Sequence, residues 1–487
     1  MELFGRIRNL FRKPAARPGG TRASYDSAAT TRYVDWAAAQ DIGPNEALSG
    51  ELSTIRARAR HERRNNGVAK GLGRKYANVA VGRAGPRLKV VSTDRAWSRL
   101  VESAYRAWAS RCGYRFGESW GELLHLGVRE FFPCGEFLMV PRIAHKATTP
   151  VKLRFLMIRP DRLTDPDGIS APEGIERDED GVPARYWIMK RDADNASTTY
   201  SWLRDFLPVP ADRIIHCFVQ EDPIQMRGEP WLATAINVFR KIRRLDDSTL
   251  SAMEIATKFA AFLSAQFPEL GDNFEALLPS VMDLEDGTLT TLPPGYEPKQ
   301  VKPEHPGHNV HEFRRDQYAA AGAGSCMPVN AVTGDSSKHN FASARFDGNF
   351  MVTDAEFVRG VVESRACDKA FLMWLEEAIA VGQVPTPRAP YYTQYLWPTN
   401  DAHTDPTKKQ NADRSAAEIG RKTVGDLVIE DGRDDDDHRD RLLEEVEWYR
   451  GHGLQHPLDA AAPAGTGKEA ADEDGKDGDD EKDDAEK

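Results

Sequence analysis

Apolar residues recurring every three or four positions give the first outline of the chain. The strongest run extends from Arg227 to Phe262, where Trp231, Ala235, Val238, Ile242, Leu245, Thr249, Ala252, Ile255, Phe259 and Phe262 keep helical spacing. It predicts one helix of about 35 residues, a rod of roughly 50 Å, against a mean of about 11–12 residues in globular domains. Helical spacing also marks Leu3, Phe4, Ile7, Leu10 and Phe11, the stretch Leu48–Ala80, the set Trp97, Val101, Tyr105 and Trp108, and Leu123–Val128. Further on it marks Val310–Gly322, then Ser343–Ala380 through Phe357, Val361, Phe371 and Trp374, then pieces up to Arg450. Strand-like runs bounded by Pro, Gly and Asp fall at Glu136–Pro141, Val151–Ile158, Ala184–Lys190, Ile214–Val219 and Tyr391–Leu396. Shorter β-like pieces occur at Thr288–Leu292 and Pro298–Val301 in a Pro- and Gly-rich interval, and Pro328–Ala344 reads as a polar loop. The fold class is α+β, with a mixed body over residues 45–228 and helices beyond it. No internal repeat is found.

Charge changes this picture more than composition does. The 487 residues carry a formal net charge of −11. Residues 1–100 hold 20 Lys and Arg against 8 Asp and Glu, whereas residues 456–487 hold 4 Lys against 12 acidic residues. The chain is therefore polarised, with a basic N-terminal third, a near-neutral body and an acidic tail. The first 25 residues read as a basic amphipathic arm ended by Pro14, Pro18, Gly19 and Gly20, suited to a membrane, an acidic partner, nucleic acid or a neighbouring subunit. The tail is too polar to offset the entropy of ordering and is expected to be disordered. The longest apolar runs fall far short of the ~18–20 residues that span a bilayer, so a membrane role is not expected. No apolar core followed by small residues opens the chain, so no secretory signal is expected either.

Chemical motifs are few. Gly465-Thr466-Gly467-Lys468 lacks the earlier Gly (Ala462) and the following Ser or Thr (Glu469) of a phosphate loop, so any ATP is burned by another chain. His305, His308 and His311 repeat every third residue, but Pro306 and Gly307 break the helix that would align them. Asp434–Asp437 lacks the alternation and glycine turn of a calcium loop and reads as a helix start or solvated face. Cys112, Cys134, Cys217, Cys326 and Cys367 are scattered and odd in number, the pattern of reduced thiols made in a cytoplasm. No catalytic residues, cofactor or metal are assigned, and the chain is not expected to be an enzyme.

Several segments, taken in order, resemble the lambda-type portal proteins of tailed bacteriophages. They are Tyr25-Asp26, Trp36, the helix Ile55-Arg56-Ala57-Arg58-Ala59-Arg60, and Arg64-Asn65-Asn66 with Asn78 and Val81-Gly82 following. Gly135-Glu136 opens a strand; Ile215-His216-Cys217-Phe218, Asp222-Pro223 and Arg227-Gly228-Glu229-Pro230 lead into the long helix. Cys326-Met327-Pro328-Val329, Gly334-Asp335, Asn340–Arg345, Phe371–Leu375, Trp397 and Asp405-Pro406 with Lys408 complete the series. The resemblance covers residues 20–455. Two departures stand out: Phe341-Ala342-Ser343 replaces the family's Tyr-Ser-Ser, and Gly85-Pro86 replaces a more usual loop.

The resemblance implies an elongated subunit of a dodecameric ring at the capsid's unique vertex, through which double-stranded DNA is packaged and ejected. It implies an N-terminal arm (1–25), a wing (26–228), a first stem helix (229–262), a clip (263–308), a second stem helix (309–327) and a tunnel loop (328–342). A long wing helix and strand (343–399), a crown (400–455) and the acidic tail (456–487) follow. Partners implied are further copies of the chain, the DNA, the terminase large subunit, capsid or scaffold protein and a head–tail adaptor, in a virion assembled in the bacterial cytoplasm. The tunnel-loop residues Asp335, Ser336, Ser337, Lys338, His339 and Asn340 would face the DNA channel. A channel along which DNA slides should neutralise few phosphates, because each ion pair releases counterions and tightens binding. Lys338 and His339 are then the loop's only cations, and Arg240, Lys241, Arg243 and Arg244 are expected in ion pairs between subunits. Two other readings stay open: a non-portal DNA-binding protein using the basic N-terminal third, and a metal-dependent hydrolase using acids such as Asp435.

Overall fold

The computed structural model describes residues 42–166, 171–190, 205–257, 310–325, 327–337, 340–398 and 406–457, and the strand backbone of 261–265 and 296–300. The basic arm, the pieces around 288–292, Cys326, Lys338, His339, the Gly465–Lys468 motif and the acidic tail lie outside the described residues.

The described elements begin with helices α1 (Pro44–Leu48), α2 (Leu52–Asn65) and α3 (Gly67–Ala80), strand β1 (Arg87–Ser92), and helices α4 (Arg95–Ala109) and α5 (Trp120–Cys134). Strands β2 (Glu136–Ile143), β3 (Leu153–Ile158), β4 (Ile175–Arg177), β5 (Pro183–Met189), β6 (Phe206–Pro210) and β7 (Ile215–Phe218) follow. Then come α6 (Ile236–Thr257), β8 (Ala261–Ala265), β9 (Tyr296–Gln300), α7 (Val310–Ala323) and α8 (Val329–Thr333). The last elements are α9 (Phe341–Val362), α10 (Asp368–Ala380), β10 (Tyr391–Leu396), α11 (Pro406–Glu418), α12 (Val424–Glu430) and α13 (Asp435–Gly451). The strands form sheets in the orders β1-β10, β3-β2-β7, β4-β5-β6 and β8-β9. The expected mixture of helix and strand is present, but three helical expectations need correction.

Leu48–Ala80 is not one helix. Asn66 has an extended backbone that ends α2, and its side-chain oxygen accepts from the backbone N–H of Val68 (2.9 Å) and Ala69 (3.3 Å), which starts α3. Arg227–Phe262 is not one rod either. The N–H groups of Trp231 and Leu232 bond the carbonyls of Phe131 (3.1 Å) and Phe132 (3.0 Å), satisfying the last turn of α5 instead of opening a helix. The regular helix is the 22 residues of α6, about 33 Å long, and Phe262 belongs to β8, which pairs antiparallel with β9. Finally, the loop expected at Pro328–Ala344 contains the short helix α8. The following helix starts at Phe341, passes through a π-helical stretch at Glu363–Cys367 and continues as α10.

Contacts divide the chain into two compact units. The first holds the described residues within 1–73, 130–138 and 158–339, and the second those within 74–129, 139–157 and 340–487. In the first, Phe131 stacks on Phe137 at 5.5 Å and Trp231 packs against both Phe131 and Phe132 at 5.3 Å. Leu72 and Phe239 are fully buried there.

The second unit is organised by aromatic rings and two polar clamps. Trp374 is fully buried and meets Tyr105 edge-on at 5.1 Å, while Trp108 packs against Phe155 at 6.0 Å. β1 pairs antiparallel with β10, Arg87 opposite Leu396 and Ser92 opposite Tyr391. The Glu377 carboxylate accepts from the N–H groups of Lys152 (2.8 Å) and Leu153 (2.9 Å). Arg359 donates to the carbonyls of Val79 (2.9 Å) and Ala80 (2.8 Å), which closes the C-terminal end of α3. Trp374→Ala removes the ring at the centre of this cluster and should cost about 3–5 kcal/mol. Chemical denaturation followed by circular dichroism measures it, and a loss under about 1 kcal/mol would deny Trp374 that position.

Candidate functional site

The described channel candidates Asp335, Ser336 and Ser337 follow a short helix on an anchored turn. α7 ends where Gly322 meets Val332 of α8 so closely that a Cβ on Gly322 would lie 2.5 Å from the valine side chain, so this root of the loop requires glycine. Beyond α8, the Asp335 N–H donates to the Thr333 hydroxyl (3.2 Å), and the Asp335 carboxylate accepts from the Ser337 N–H (2.9 Å). Hydrogen bonds from Ser337 hold the Asp335 carboxyl below its ordinary range. Asp335, Ser336 and Ser337 are all exposed. Asn340 caps α9: its side chain accepts from the Ser343 N–H (2.8 Å), and the Ser343 hydroxyl accepts from the Asn340 N–H (3.1 Å). The Phe341-Ala342-Ser343 departure thus keeps the one residue that completes the cap. Its described residues present a carboxylate and two serine hydroxyls to solvent.

A second constellation lies buried in the first unit, and its members come from four of the segments that carry the family resemblance. Glu136 is fully buried at the start of β2. Arg227 donates to it through Nε (2.9 Å to Oε1) and Nη2 (2.7 Å), and Arg56 of α2 through Nη2 (2.8 Å). His216 Nε2 lies 3.0 Å from the other oxygen, and the Gly228 N–H donates to that oxygen at 2.7 Å. Burial favours the neutral acid, but Arg227, Arg56 and His216 outweigh it and hold the Glu136 carboxyl well below its ordinary range. The guanidiniums are completed by backbone: Arg56 Nε donates to the Cys134 carbonyl (3.0 Å), and Arg227 donates to the carbonyls of Glu173 (2.8 Å) and Pro160 (3.1 Å). Glu173 holds φ 58°, the one non-glycine residue at positive φ among the described residues.

Local sequence explains how the carboxylate reaches this place. Gly135 (φ 80°) ends α5 in the left-handed conformation, its N–H on the Phe131 carbonyl at 2.9 Å. A Cβ on Gly135 would lie 2.4 Å from the Gly228 backbone. The two glycines let the strand start and the Arg227-Gly228 turn touch backbone to backbone, which brings the Gly228 N–H onto Glu136. Sequence reading marked Gly135, Glu136, His216, Arg227 and Arg56 as separate motif positions. Their junction was not legible, although a charged residue quoted in each motif was a usable signal.

The junction is built as a fastener. His216 Nδ1 lies 3.2 Å from the Tyr186 hydroxyl, and Glu136 is fully buried with both oxygens accepting from protein donors. Ion pairs extend from it: Arg60 bonds Asp161, Arg63 pairs with Glu130 at 2.7 Å, and Arg243 pairs with Glu62. Arg243 was expected in an ion pair between subunits, and its partner instead lies in the same chain. Of the cysteines, Cys112, Cys134, Cys217 and Cys367 are buried thiols outside any disulfide among the described residues; burial, with Glu130 beside it, pushes the Cys134 thiol up to about 12.

The acidic run behaves as a helix start. Asp434 caps α13 by accepting from the N–H groups of Asp436 and Asp437 at 3.0 Å. Carboxylate oxygens of Asp434, Asp435 and Asp436 lie close enough to hold a cation, and the Lys89 ammonium takes that place, 2.6 Å from Asp436 and 3.2 Å from Asp434. Burial opposes the charge on Lys89, but Asp436 and Asp434 outweigh it and raise its pKa. Arg87 and Arg106 pair with Asp437 at 2.6 and 3.0 Å. Of the three spaced histidines only His311 is described, exposed on α7.

Removing the Glu136 charge takes the nearest counter-ion from two buried guanidiniums and leaves only Asp161 at 3.9 Å from Arg56 and Glu173 at 3.5 Å from Arg227, so Glu136→Gln should cost about 3–5 kcal/mol, measured by urea denaturation. A change under about 1 kcal/mol would assign the junction no weight. The pH dependence follows from the direction of the shift. The folded pKa lies below the unfolded value of about 4.3, so the stabilisation is present above that value. It is lost as pH falls through the folded pKa. Wild-type stability should therefore drop steeply below about pH 4, and the drop should be shallower in Glu136→Gln.

The model of the family described as "Phage portal protein, lambda family" matches residues 30–349. The chain is 22% identical, over 93% of its length and 92% of the relative's, to the "Probable portal protein" of Halomonas phage phiHAP-1. Among solved structures it is similar to a chain in the "Neck of empty GTA particle computed with C6 symmetry", at 12% identity over 79% of this chain and 94% of that one, with a TM-score of 0.45. It is also similar to an HK97 family phage portal protein from Corynebacterium diphtheriae, at 10% identity over 75% and 98%, with a TM-score of 0.33.

Proposed function

We infer the role of this chain from its kinship: it belongs to the lambda family of phage portal proteins, and its function is that of a phage portal. The family match over residues 30–349 carries this reading. In the finer form we propose, twelve copies close into a ring at one capsid vertex of the virion. Double-stranded DNA passes through that ring, the terminase large subunit docks on it during packaging, and a head–tail adaptor binds it afterwards. Capsid or scaffold protein surrounds the ring, and synthesis takes place in the bacterial cytoplasm. No catalytic role is assigned to the chain.

The regions then take these parts. Residues 26–228 form the wing, α6 the first stem helix, 263–308 the clip and α7 the second stem helix. Residues 328–342 form the tunnel loop, α9 with α10 and β10 the long wing helix and strand, and 400–455 the crown. Pairing of Ala261–Ala265 with Tyr296–Gln300 supports the clip, because the interval between the stem helices leaves and returns at one place. The exposure of Asp335, Ser336 and Ser337 supports a channel lining, and Lys338 and His339 leave the loop with few cations for phosphate.

The rival reading, a DNA-binding protein driven by the basic N-terminal third, loses part of its charge to the fold. Arg56, Arg60, Arg63, Arg87 and Lys89 are all engaged in ion pairs within the chain. Negative-stain electron microscopy of the purified chain should show rings, and a stable monomer at every salt concentration would overturn the portal reading. Fluorescence anisotropy on duplex DNA should show weak binding with a shallow salt slope. A loss of about 10³–10⁵ in affinity between 50 and 200 mM salt would instead reveal the many phosphate contacts of the rival.

A further inference from the structure

Two contacts fix the direction and level of α6 against α7. Arg314 Nε lies 3.4 Å from Asp246 Oδ1, and Gly324, just past α7, packs against the Thr234 hydroxyl just before α6. Going back from Asp246 to Thr234 goes forward from Arg314 to Gly324, so the two helices run antiparallel. Arg244 on α6 therefore stands level with Asp316 on α7.

The two side chains point in opposite directions. Each lies two residues from the residue that joins the helices, about 200° round its own helix. Arg244 is thus turned away from α7, and Asp316 away from α6. Both are exposed, as are Arg240 and Lys241 beside Arg244. Among the described residues, none of these four makes an ion pair. The neighbouring Arg243 differs, since it is engaged with Glu62. The helix pair is therefore a layer with a basic flank on one side and an acidic residue on the other, at the same level.

Such a layer is suited to head-to-tail repetition. We propose that the Arg244 flank of one copy docks on the Asp316 flank of the next, an inference that rests on the ring reading and names its contact. Rotation about an axis running along the α6–α7 pair keeps levels unchanged, so every Arg244 meets an Asp316 and the set closes without a free edge. A two-fold dimer through the basic flank would instead set Arg240, Lys241 and Arg244 against their own copies, and like charges at close range reject it. Complementary flanks thus select the heterologous contact that generates a ring over the isologous one that stops at a dimer.

Charge reversal tests the contact. Rings are counted by negative-stain microscopy at one protein and salt concentration for wild type, Arg244→Glu, Asp316→Arg and the double variant, with circular dichroism on each. Each single variant should form at least tenfold fewer rings while keeping its helical signal, and the double variant should recover them. Single variants that assemble like wild type, or a folded double variant as defective as either single, would overturn the pairing while leaving the ring reading intact. A wild-type chain that forms no ring at any salt concentration would overturn both. If a charge variant fails to fold, Arg244→Cys with Asp316→Cys decides: oxidised rings should give a ladder of covalent multimers that neither single cysteine variant gives, and rings without the ladder overturn the contact.

Discussion

A carboxylate with no exposed surface has to be neutralised where it stands, and Glu136 is such a group. Its neutralisation needs Arg56 from α2, Arg227 and Gly228 from the turn before α6, and His216 from β7. Each partner arrives from a different stretch of chain, so the charge cannot be satisfied until those stretches meet. Removing one member of a buried pair is far more costly than never having built it. That asymmetry makes the junction a specificity device: a misplaced α2 or a shifted Arg227 turn leaves a charge buried and unpaired. The backbone contact of Gly135 with Gly228 is part of the same constraint, since any side chain there holds the donor away from the acid.

How much of this was legible in the sequence follows from what periodicity encodes. Strands β2, β3, β5, β7 and β10 were placed within a few residues, and the amphipathic sets of α4, α5 and α7 were read correctly. Apolar spacing records which face is buried, and these elements bury one face against a nearby partner. The long helix failed at both ends because spacing does not say where backbone N–H groups go. Trp231 and Leu232 keep helical spacing, yet their amides close α5. β1, β4 and β6 went unread, and the break at Asn66 was passed over although its side chain is a good cap. The junction itself was legible only as fragments, because pairing between residues 80 and 91 positions apart leaves no local period.

The acidic helix start of α13 uses charge in a different way. Glu136 is enclosed, whereas Asp436 and Asp437 keep about a third of their side chains in contact with solvent. Their pairs with Lys89 and Arg87 are screened and individually weak. What they add is position, since Asp434 caps the helix and the same residue meets Lys89. α13 has no buried residue, and Val428 is the only buried apolar side chain described in residues 406–457. This stretch lacks a core of its own and leans on ion pairs and caps. Six large apolar residues in it, Ile419, Val424, Ile429, Leu443, Trp448 and Leu454, stay exposed, more than a self-sufficient helical module leaves in water.

The charges sort by burial, and the sorting bears on how a portal handles DNA. Three arginines of the N-terminal third, Arg56, Arg60 and Arg63, are drawn inward to Glu136, Asp161 and Glu130. The turn proposed for the channel carries Asp335, and hydrogen bonds from Ser337 hold its carboxyl below its ordinary range. Each phosphate contact avoided leaves a counterion on the DNA and lowers the free energy of holding it in place. In the proposed channel, arginines engaged within the chain are not available to hold DNA. The force that moves DNA then has little adhesion to overcome at the wall. The described ends of that loop are held by Gly322 packed against Val332 and by the Asn340 cap of α9, so the proposed lining hangs between two fixed points.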